Sequence, residues 1–254
     1  MTDSRTLTYF ISDLHLGARY IDNPRAHEQR VVSFLESIRP TARRLYMLGD
    51  VMDYWWDYRT VVPRGYVRFL GTLARLADSG TEITWFKGNH DIWLFDYMQS
   101  EIGVRVVDGA LTEDIDGQRF FMEHGDGVGH QSAGFRLIRS LFRNRLAQRL
   151  YASIHPRWTI GFAHGWSSHS RKAGGYAGAK GDTDATVCAP LVNFAENYLR
   201  DVDPAVNYFI FGHVHRAFER QLSPCHRVVV LGDWISRFTY AVFDGSRLTL
   251  RRFE

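Results

Sequence analysis

Short apolar runs that break off into chemistry-bearing polar residues set the pattern of this chain. Thr6 to Ser12 predicts a strand and runs into Asp13-Leu14-His15, and Arg44 to Leu48 predicts a buried strand ending in Gly49-Asp50-Val51-Met52-Asp53. Glu82 to Phe86 predicts a third, delivering Gly88-Asn89-His90-Asp91. Between them lie a helical segment, Pro24 to Ser37, and an amphipathic helix, Pro63 to Ser79, with Val67, Leu70, Leu73, Ala74 and Ala77 on one face and Gly80 as its stop. Three strand-helix repeats joined by right-handed crossovers place the three strand tips at one edge of a parallel sheet, where open α/β sheets keep their chemistry.

Past Val104 the pattern shortens. Ala110 to Ile115 and Arg119 to Glu123 flank Asp116-Gly117, a hairpin signal, and the second of these strands ends in His124-Gly125-Asp126. Phe135, Ile138, Phe142, Leu146 and Leu150 then recur at helical spacing with Arg136, Arg139 and Arg143 on a neighbouring stripe, which predicts one basic amphipathic helix. A second segment, Trp158 to Ser170, leads into small residues, Ala173 to Gly181, that read as mobile. Thr183 to Arg200 is again helical, with Val187, Leu191, Phe194, Ala195 and Tyr198 as its stripe. Asn207 to Phe211 predicts a strand ending in Gly212-His213-Val214-His215, two imidazoles on one side of a strand tip. The remainder, Ala217 to Leu222, Arg227 to Leu231, Thr239 to Phe243 and Leu248 to Phe253, reads as an antiparallel meander.

Composition changes the picture at two points. At 254 residues, 45% hydrophobic and 23% charged, the chain fits a single domain with an insertion at 127–181, and no apolar run reaches the ~18 residues of a membrane span. A short polar start with no visible signal peptide points to the cytoplasm. Cys188 and Cys225 stand in no metal or redox spacing and read as reduced structural thiols. The net charge of +3 conceals an asymmetry: 127–181 holds nine Arg and Lys and no Asp or Glu, leaving 22 basic against 28 acidic residues elsewhere. Such a segment calls for an anionic partner. Its amphipathic helix can cover an anionic substrate, touch anionic lipid, or pack on the body with its arginines in water. The aromatic residues Tyr54, Trp55, Trp56 and Tyr58 either wall a pocket or simply pack.

The strand tips together offer Asp13, His15, Asp50, Asn89, His124, His213 and His215. Seven candidate ligands with no cysteine exceed one tetrahedral zinc and suit two ions with mixed nitrogen and oxygen ligation, Asp50 bridging them. Asp53 is a candidate for orienting a histidine.

The ordered run D-x-H, G-D, G-N-H-D, H, G-H-x-H, from Asp13 to His215, resembles the calcineurin-like metallophosphoesterases. That resemblance implies an α/β fold, a four-layer αββα sandwich with a helical cap insertion, and two divalent ions, Mn²⁺ first, with Fe, Zn or Mg as other options. It implies that a metal-bridging hydroxide hydrolyses a phosphate ester or anhydride. Asp13, His15 and His215 would then hold one ion, and Asn89, His124 and His213 the other. His90 would meet the substrate, with its other ring nitrogen held by Asp91 or by Asp53.

Within that superfamily the chain is similar to the UDP-2,3-diacylglucosamine pyrophosphohydrolases of lipid A synthesis. The likeness rests on size, on His124-Gly125-Asp126, on the basic helical insertion and on the ending Leu231-Gly232-Asp233-Trp234. It implies a nucleotide-linked glycolipid as substrate, UMP and lipid X as products, and a peripheral position on the cytoplasmic face of the inner membrane. Neither a nucleic acid nor an obligate protein partner is expected. Asp126, Arg157, Ser170, Arg171 and Lys172 are candidate substrate contacts. The best-known branch of those hydrolases carries Arg after the Asn ligand; here that place is held by His90, as in generic metallophosphoesterases, so a soluble metallophosphodiesterase or nuclease is the alternative.

Overall fold

A computed structural model describes residues 5–128, 133–156, 158 and 183–254. Strands β1 (Leu7–Ile11), β2 (Ala42–Leu48), β3 (Glu82–Phe86) and β4 (Arg105–Val107) run parallel in a six-stranded sheet. β10 (Thr239–Phe243) and β11 (Leu248–Arg252) close its far side in the order β11-β10-β1-β2-β3-β4. A second sheet has the order β5-β6-β7-β9-β8 and comprises β5 (Leu111–Ile115), β6 (Gln118–Glu123), β7 (Tyr208–Phe211), β8 (Ala217–Ser223) and β9 (His226–Leu231). Its central strands β6, β7 and β9 are also parallel to one another.

The alternation of side chains along each strand explains the stacking. Phe10, Tyr46, Leu48 and Phe86 from the first sheet meet Phe120, Met122, Ile210, Val229 and Leu231 from the second in one buried core, where the Phe10 and Phe120 rings stack at 5.6 Å. The opposite faces are buried too. Helices α1 (Pro24–Ile38) and α2 (Val67–Asp78) cover Ile11, Leu45, Met47 and Trp85 with Val31, Phe34, Leu35, Phe69, Leu73 and Leu76. Helix α5 (Asp184–Asp201) covers Phe121, Phe209, Phe211 and Val230 with Cys188, Leu191 and Ala195. The result is the α-β-β-α order of layers that the resemblance implied.

Local chemistry sets the element ends. Asn23 accepts from the Ala26 amide at 3.0 Å and Pro24 opens α1, the favoured start of a helix. Asp116 (φ 50°) and Gly117 (φ 80°) form the two-residue turn joining β5 to β6, the hairpin that the sequence predicted. Cys188 is a buried free thiol and Cys225 an exposed one.

Three expectations change. The buried face of α2 is Phe69, Thr72, Leu73 and Leu76, with Leu70 and Ala77 of the predicted stripe partly buried beside it, while Val67, the first residue after the left-handed Tyr66, is exposed. No single meander forms, because β8 and β9 pair in the second sheet and β10 and β11 in the first, the chain crossing between sheets at 232–238. The tips of β1, β2 and β3 share one sheet edge as expected, and His124 and His213 reach the same place from the second sheet. The basic helix is two helices, α3 (Ala133–Arg143) and α4 (Arg145–Ala152), divided at Asn144, whose side chain accepts from the Leu146 and Ala147 amides and so starts a new helix. Phe142 and Tyr151 pack these helices onto Tyr54, Trp56, Ile92 and Trp93, with Tyr58 beside them, while Trp55 lies in the core under α1 and α2. Trp56 also lines a cavity, so the aromatic residues both pack and wall a pocket. The segments Trp158 to Ser170 and Ala173 to Gly181, Trp158 apart, lie outside the described residues.

Candidate metal centre

The parallel strands of both sheets aim their carboxyl ends at one place, and the loops that follow turn sharply there. Asp13, His15, Asp50, His213 and His215 all adopt positive φ, between 45° and 69°. Side chains rarely occupy that region, at about 1–3 kcal/mol each, and such strain gathers at functional sites. It lets neighbouring side chains at a strand tip face a common space. Close backbone approach completes the geometry: a Cβ on Gly88 would lie 2.1 Å from Asp50 Oδ1, and one on Gly212 1.9 Å from Ser12 Oγ.

Asp13 is fully buried, and its two oxygens do different things. Oδ2 accepts from the Ser12 hydroxyl and from the His213 amide at 2.9 Å. Oδ1 has no hydrogen-bond partner and faces His215 Nε2 at 3.4 Å and His15 Nε2 at 3.8 Å. Both ring nitrogens of buried His15 lack aligned partners as well. Buried orphan groups of this kind are costly unless something fills the space between them. Asp50 divides its oxygens likewise. Oδ1 accepts from the His90 amide at 2.8 Å, and Oδ2 stands 3.8 Å from His15 Nε2 and 3.3 Å from His124 Nε2. His124 Nε2 in turn lies 3.3 Å from Asn89 Oδ1 and 3.3 Å from His213 Nδ1. Among the described residues three donor groups result, Asp13/His15/His215, Asp50/His124/His213 and His15/Asp53/His90, with Asn89 beside the second and Asp50 Oδ2 between the first two.

This donor set fits divalent cations: its imidazoles and carboxylates are those of mixed nitrogen-oxygen sites, and the orphaned atoms converge. The charges point the same way. Burial pushes the Asp13 carboxyl up, but His215, His15 and His124 overcome that and bring it down to about 2. Burial pushes the His15 ring down, but the carboxylates of Asp13, Asp53 and Asp50 raise it to about 9. Asp50 is held well below the usual carboxylate range by His124 and His90 against its burial, and Asp50 raises His124 correspondingly. His213, lowered to about 4 by burial and by the charge on His124, is already neutral.

A sign follows for ion binding. The His15 pKa lies above its ordinary ~6.5, so between about pH 6.5 and 9 the ring carries a proton that a divalent ion must displace. Calorimetric titration of metal-stripped protein at pH 7.5 is expected to show proton release, with heats that differ between buffers of different ionisation enthalpy, and affinity is expected to rise with pH up to about 9. Heats independent of buffer would contradict it.

The other predicted residues fall into distinct places. His90 is partly exposed, with its ring 4.9 Å from that of His15; its Nδ1 donates to the Asp53 carbonyl at 3.1 Å and lies 3.7 Å from Asp53 Oδ1. Asp53 Oδ1 also faces His15 Nδ1 at 3.4 Å. Asp91 is not the partner of His90. Its carboxylate is fully buried and accepts from the amides of Gly88 at 2.7 Å and Val51 at 2.9 Å and from Trp85 Nε1 at 3.0 Å, with the Asp50 and Met52 amides near. Five donors claim both oxygens, so Asp91 ties the β2 tip to the β3 tip rather than serving catalysis directly. Asp126 is buried two residues beyond His124, and its charge acts on His124 and His213. Arg157, Ser170, Arg171 and Lys172 lie outside the described residues.

Two side chains at the centre were not picked out from sequence as contributors. Ser12 fixes Asp13, and Asp233, at the tip of β9, lies 3.9 Å from His215 Nδ1. The signal for Asp233 was Leu231-Gly232-Asp233, which repeats the strand-glycine-acid pattern of Leu48-Gly49-Asp50.

Residues 7–217 match the calcineurin-like phosphoesterase family. A protein of Porphyromonas gingivalis named UDP-2,3-diacylglucosamine hydrolase is 41% identical over 259 residues, covering 98% of this chain and 98% of that one. Proteins of the same name from Ralstonia nicotianae and Nitrosococcus oceani are 28% and 26% identical, over 96% and 89% of this chain and 88% and 87% of theirs.

Proposed function

The chain belongs to the calcineurin-like phosphoesterase family as a metal-dependent phosphoesterase, and from that premise we propose that it hydrolyses the pyrophosphate of UDP-2,3-diacylglucosamine to UMP and lipid X at two divalent ions, Mn²⁺ first among them. The observation that carries the two-ion reading is the position of Asp50 Oδ2 between the two donor groups. Asp13, His15 and His215 would hold one ion, Asn89, His124 and His213 the other, and Asp50 would be shared. When bound, such ions would supply Lewis acidity toward phosphoryl oxygens and lower the pKa of water so that it can act as nucleophile at neutral pH. The chain's own part is to exclude alternatives and move a proton. His90, its Nδ1 engaged by Asp53, presents Nε2 to the leaving oxygen.

The lipid-linked substrate is supported by the relatives' name and by the surface beside the centre. A cavity of about 520 Å³ between α4 and the body combines Trp56, Ile92 and Phe95 with Lys87, Arg143, Arg145 and Arg149 and with Asp57 and Asp108, the latter paired with Lys87 and Arg143; the lining is net basic and partly apolar, as an anionic amphiphile requires. On the outside of α3 and α4, Leu137, Leu141, Leu146 and Leu150 are exposed next to Arg145 and Arg149, with Leu146 and Leu150 at 66% and 64%. Among the described residues no helix is long and apolar enough to cross a membrane. The surface suits a helix pair lying on an anionic bilayer, which supports a peripheral position on the cytoplasmic face of the inner membrane as part of this reading.

The assay is direct. Purified protein with Mn²⁺ is expected to release UMP and lipid X from UDP-2,3-diacylglucosamine; no UMP release alongside brisk turnover of a simple phosphodiester would overturn the lipid assignment in favour of a soluble phosphodiesterase. The membrane reading is checked separately. The double variant Leu146→Asp, Leu150→Asp is expected to weaken co-sedimentation with phosphatidylglycerol vesicles by about tenfold or more, because each leucine gives up apolar burial worth more than ~1 kcal/mol. Turnover of a water-soluble phosphodiester should be unchanged, and unaltered sedimentation would refute the docking surface.

A further inference from the structure

The imidazoles that turn Nε2 toward the shared space each have an oxygen on the side of the other ring nitrogen, hydrogen-bonded at His124 and merely close at His15 and His215. His124 Nδ1 donates to the Leu48 carbonyl at 2.7 Å, and His15 Nδ1 faces Asp53 Oδ1 at 3.4 Å. Beside His215, Asp233 Oδ2 stands 3.9 Å from Nδ1 while Asp13 Oδ1 stands 3.4 Å from Nε2. We propose that Asp233 is the positioning residue for His215, fixing the ring so that Nε2 serves the ion site shared with Asp13 and His15. A ring nitrogen that gives its proton to a carboxylate presents the opposite nitrogen as a neutral, more basic donor in one orientation.

The surroundings of Asp233 make it suited to that task. It is 4% exposed, and its Oδ1 is pinned by the amides of Ile235 at 2.8 Å, Ser236 at 2.6 Å and Arg237 at 3.2 Å, which turns Oδ2 toward His215. The same turn reaches the centre twice more. Trp234 donates its amide to the Asp13 carbonyl at 3.0 Å, and Arg237 Nε donates to the His215 carbonyl at 3.1 Å. The crossing between the two sheets therefore grips both Asp13 and His215. An acid at 233 has two separable duties, to hold the turn through Oδ1 and to hold the ring through Oδ2.

Those duties can be told apart. Asp233→Asn keeps an Oδ1 acceptor for the three amides and turns an amide N–H toward Nδ1–H, so donor meets donor. Ser236→Ala removes a hydroxyl that lies 3.2 Å from each Asp233 oxygen and leaves the pairing with His215 intact. Full-length, metal-stripped protein is titrated with Mn²⁺, unbound ion being counted by electron paramagnetic resonance. The expected result is two binding steps in the wild type, one of them weakened about 10–100-fold in Asp233→Asn with the other unchanged, and both unchanged in Ser236→Ala. Unchanged steps in Asp233→Asn would overturn the proposal, as would equal weakening of both steps with a lowered melting temperature of the metal-free protein, which would make Asp233 a turn clamp and nothing more. The inference rests on the two-ion reading, and the outcomes separate: a wild type that binds no Mn²⁺ overturns both, whereas an indifferent Asp233→Asn overturns this one alone.

Discussion

Asp50→Asn is expected to lower kcat/KM on every phosphoester by more than ~10²-fold and to reduce bound metal below two ions per chain. Groups that merely orient a ligand are worth 10–100-fold in metal affinity or activity, and Asp50 stands closer in than any of them. Its Oδ2 lies within 3.8 Å of His15 and 3.3 Å of His124, one from each donor group, so a single substitution disturbs both. The amide is nearly isosteric and can still accept the His90 amide through Oδ1, so the fold is retained while the charge that draws cations into a buried space is lost. Metal content by mass spectrometry, circular dichroism and kinetics on one preparation provide the check. A folded Asp50→Asn protein with two ions and wild-type turnover would remove Asp50 from the bridging role.

The second large effect separates chemistry from metal binding. His90→Ala is expected to keep both ions and to lose ~10²–10⁴-fold in kcat, the usual worth of a positioned proton donor. The ring is not part of either donor group with Asp13 or Asp50; its Nδ1 is taken up by the Asp53 carbonyl, leaving Nε2 for the substrate. A proton donor matters most when the departing group is a poor one. The loss should therefore be large for an alkyl phosphodiester and small for a nitrophenyl phosphodiester, whose leaving oxygen needs no proton. Equal losses on both substrates would assign His90 to binding or electrostatic stabilisation instead. Asp91→Asn provides a contrast, since its carboxylate holds the Gly88 and Val51 amides and Trp85 Nε1, and its substitution should lower the melting temperature as well as activity.

The strands that carry the centre were legible because each is buried on both faces and ends abruptly in polar residues, so apolar runs alone mark β2, β3 and β7 to within two residues at either end. Helix faces were less legible. Leu70, Leu73 and Ala77 of the predicted stripe do pack on the core, but Phe69 and Leu76 are buried more deeply and Val67, directly after the left-handed Tyr66, is exposed. Likewise Leu146 and Leu150 continue the spacing of Phe142, yet Asn144 competes for backbone amides as a cap and breaks the helix.

By itself the sequence determined which residue types reach the centre, because Asp13-x-His15, Gly49-Asp50, Gly88-Asn89-His90, His124 and Gly212-His213-x-His215 each follow directly on a strand, and a strand's end fixes where its next residues go. Only the tertiary structure decided how they share the work. Whether Asp53 or Asp91 serves His90, which oxygen of Asp13 and Asp50 faces the shared space, and that Asp233 stands behind His215 all depend on left-handed turns and on the stacking of two sheets. Those contacts join residues as far apart as Asp13 and His213, and no local spacing encodes the choice between two acids that both lie within reach. Closely packed backbone amides captured Asp91, and Asp53 was left to the histidines.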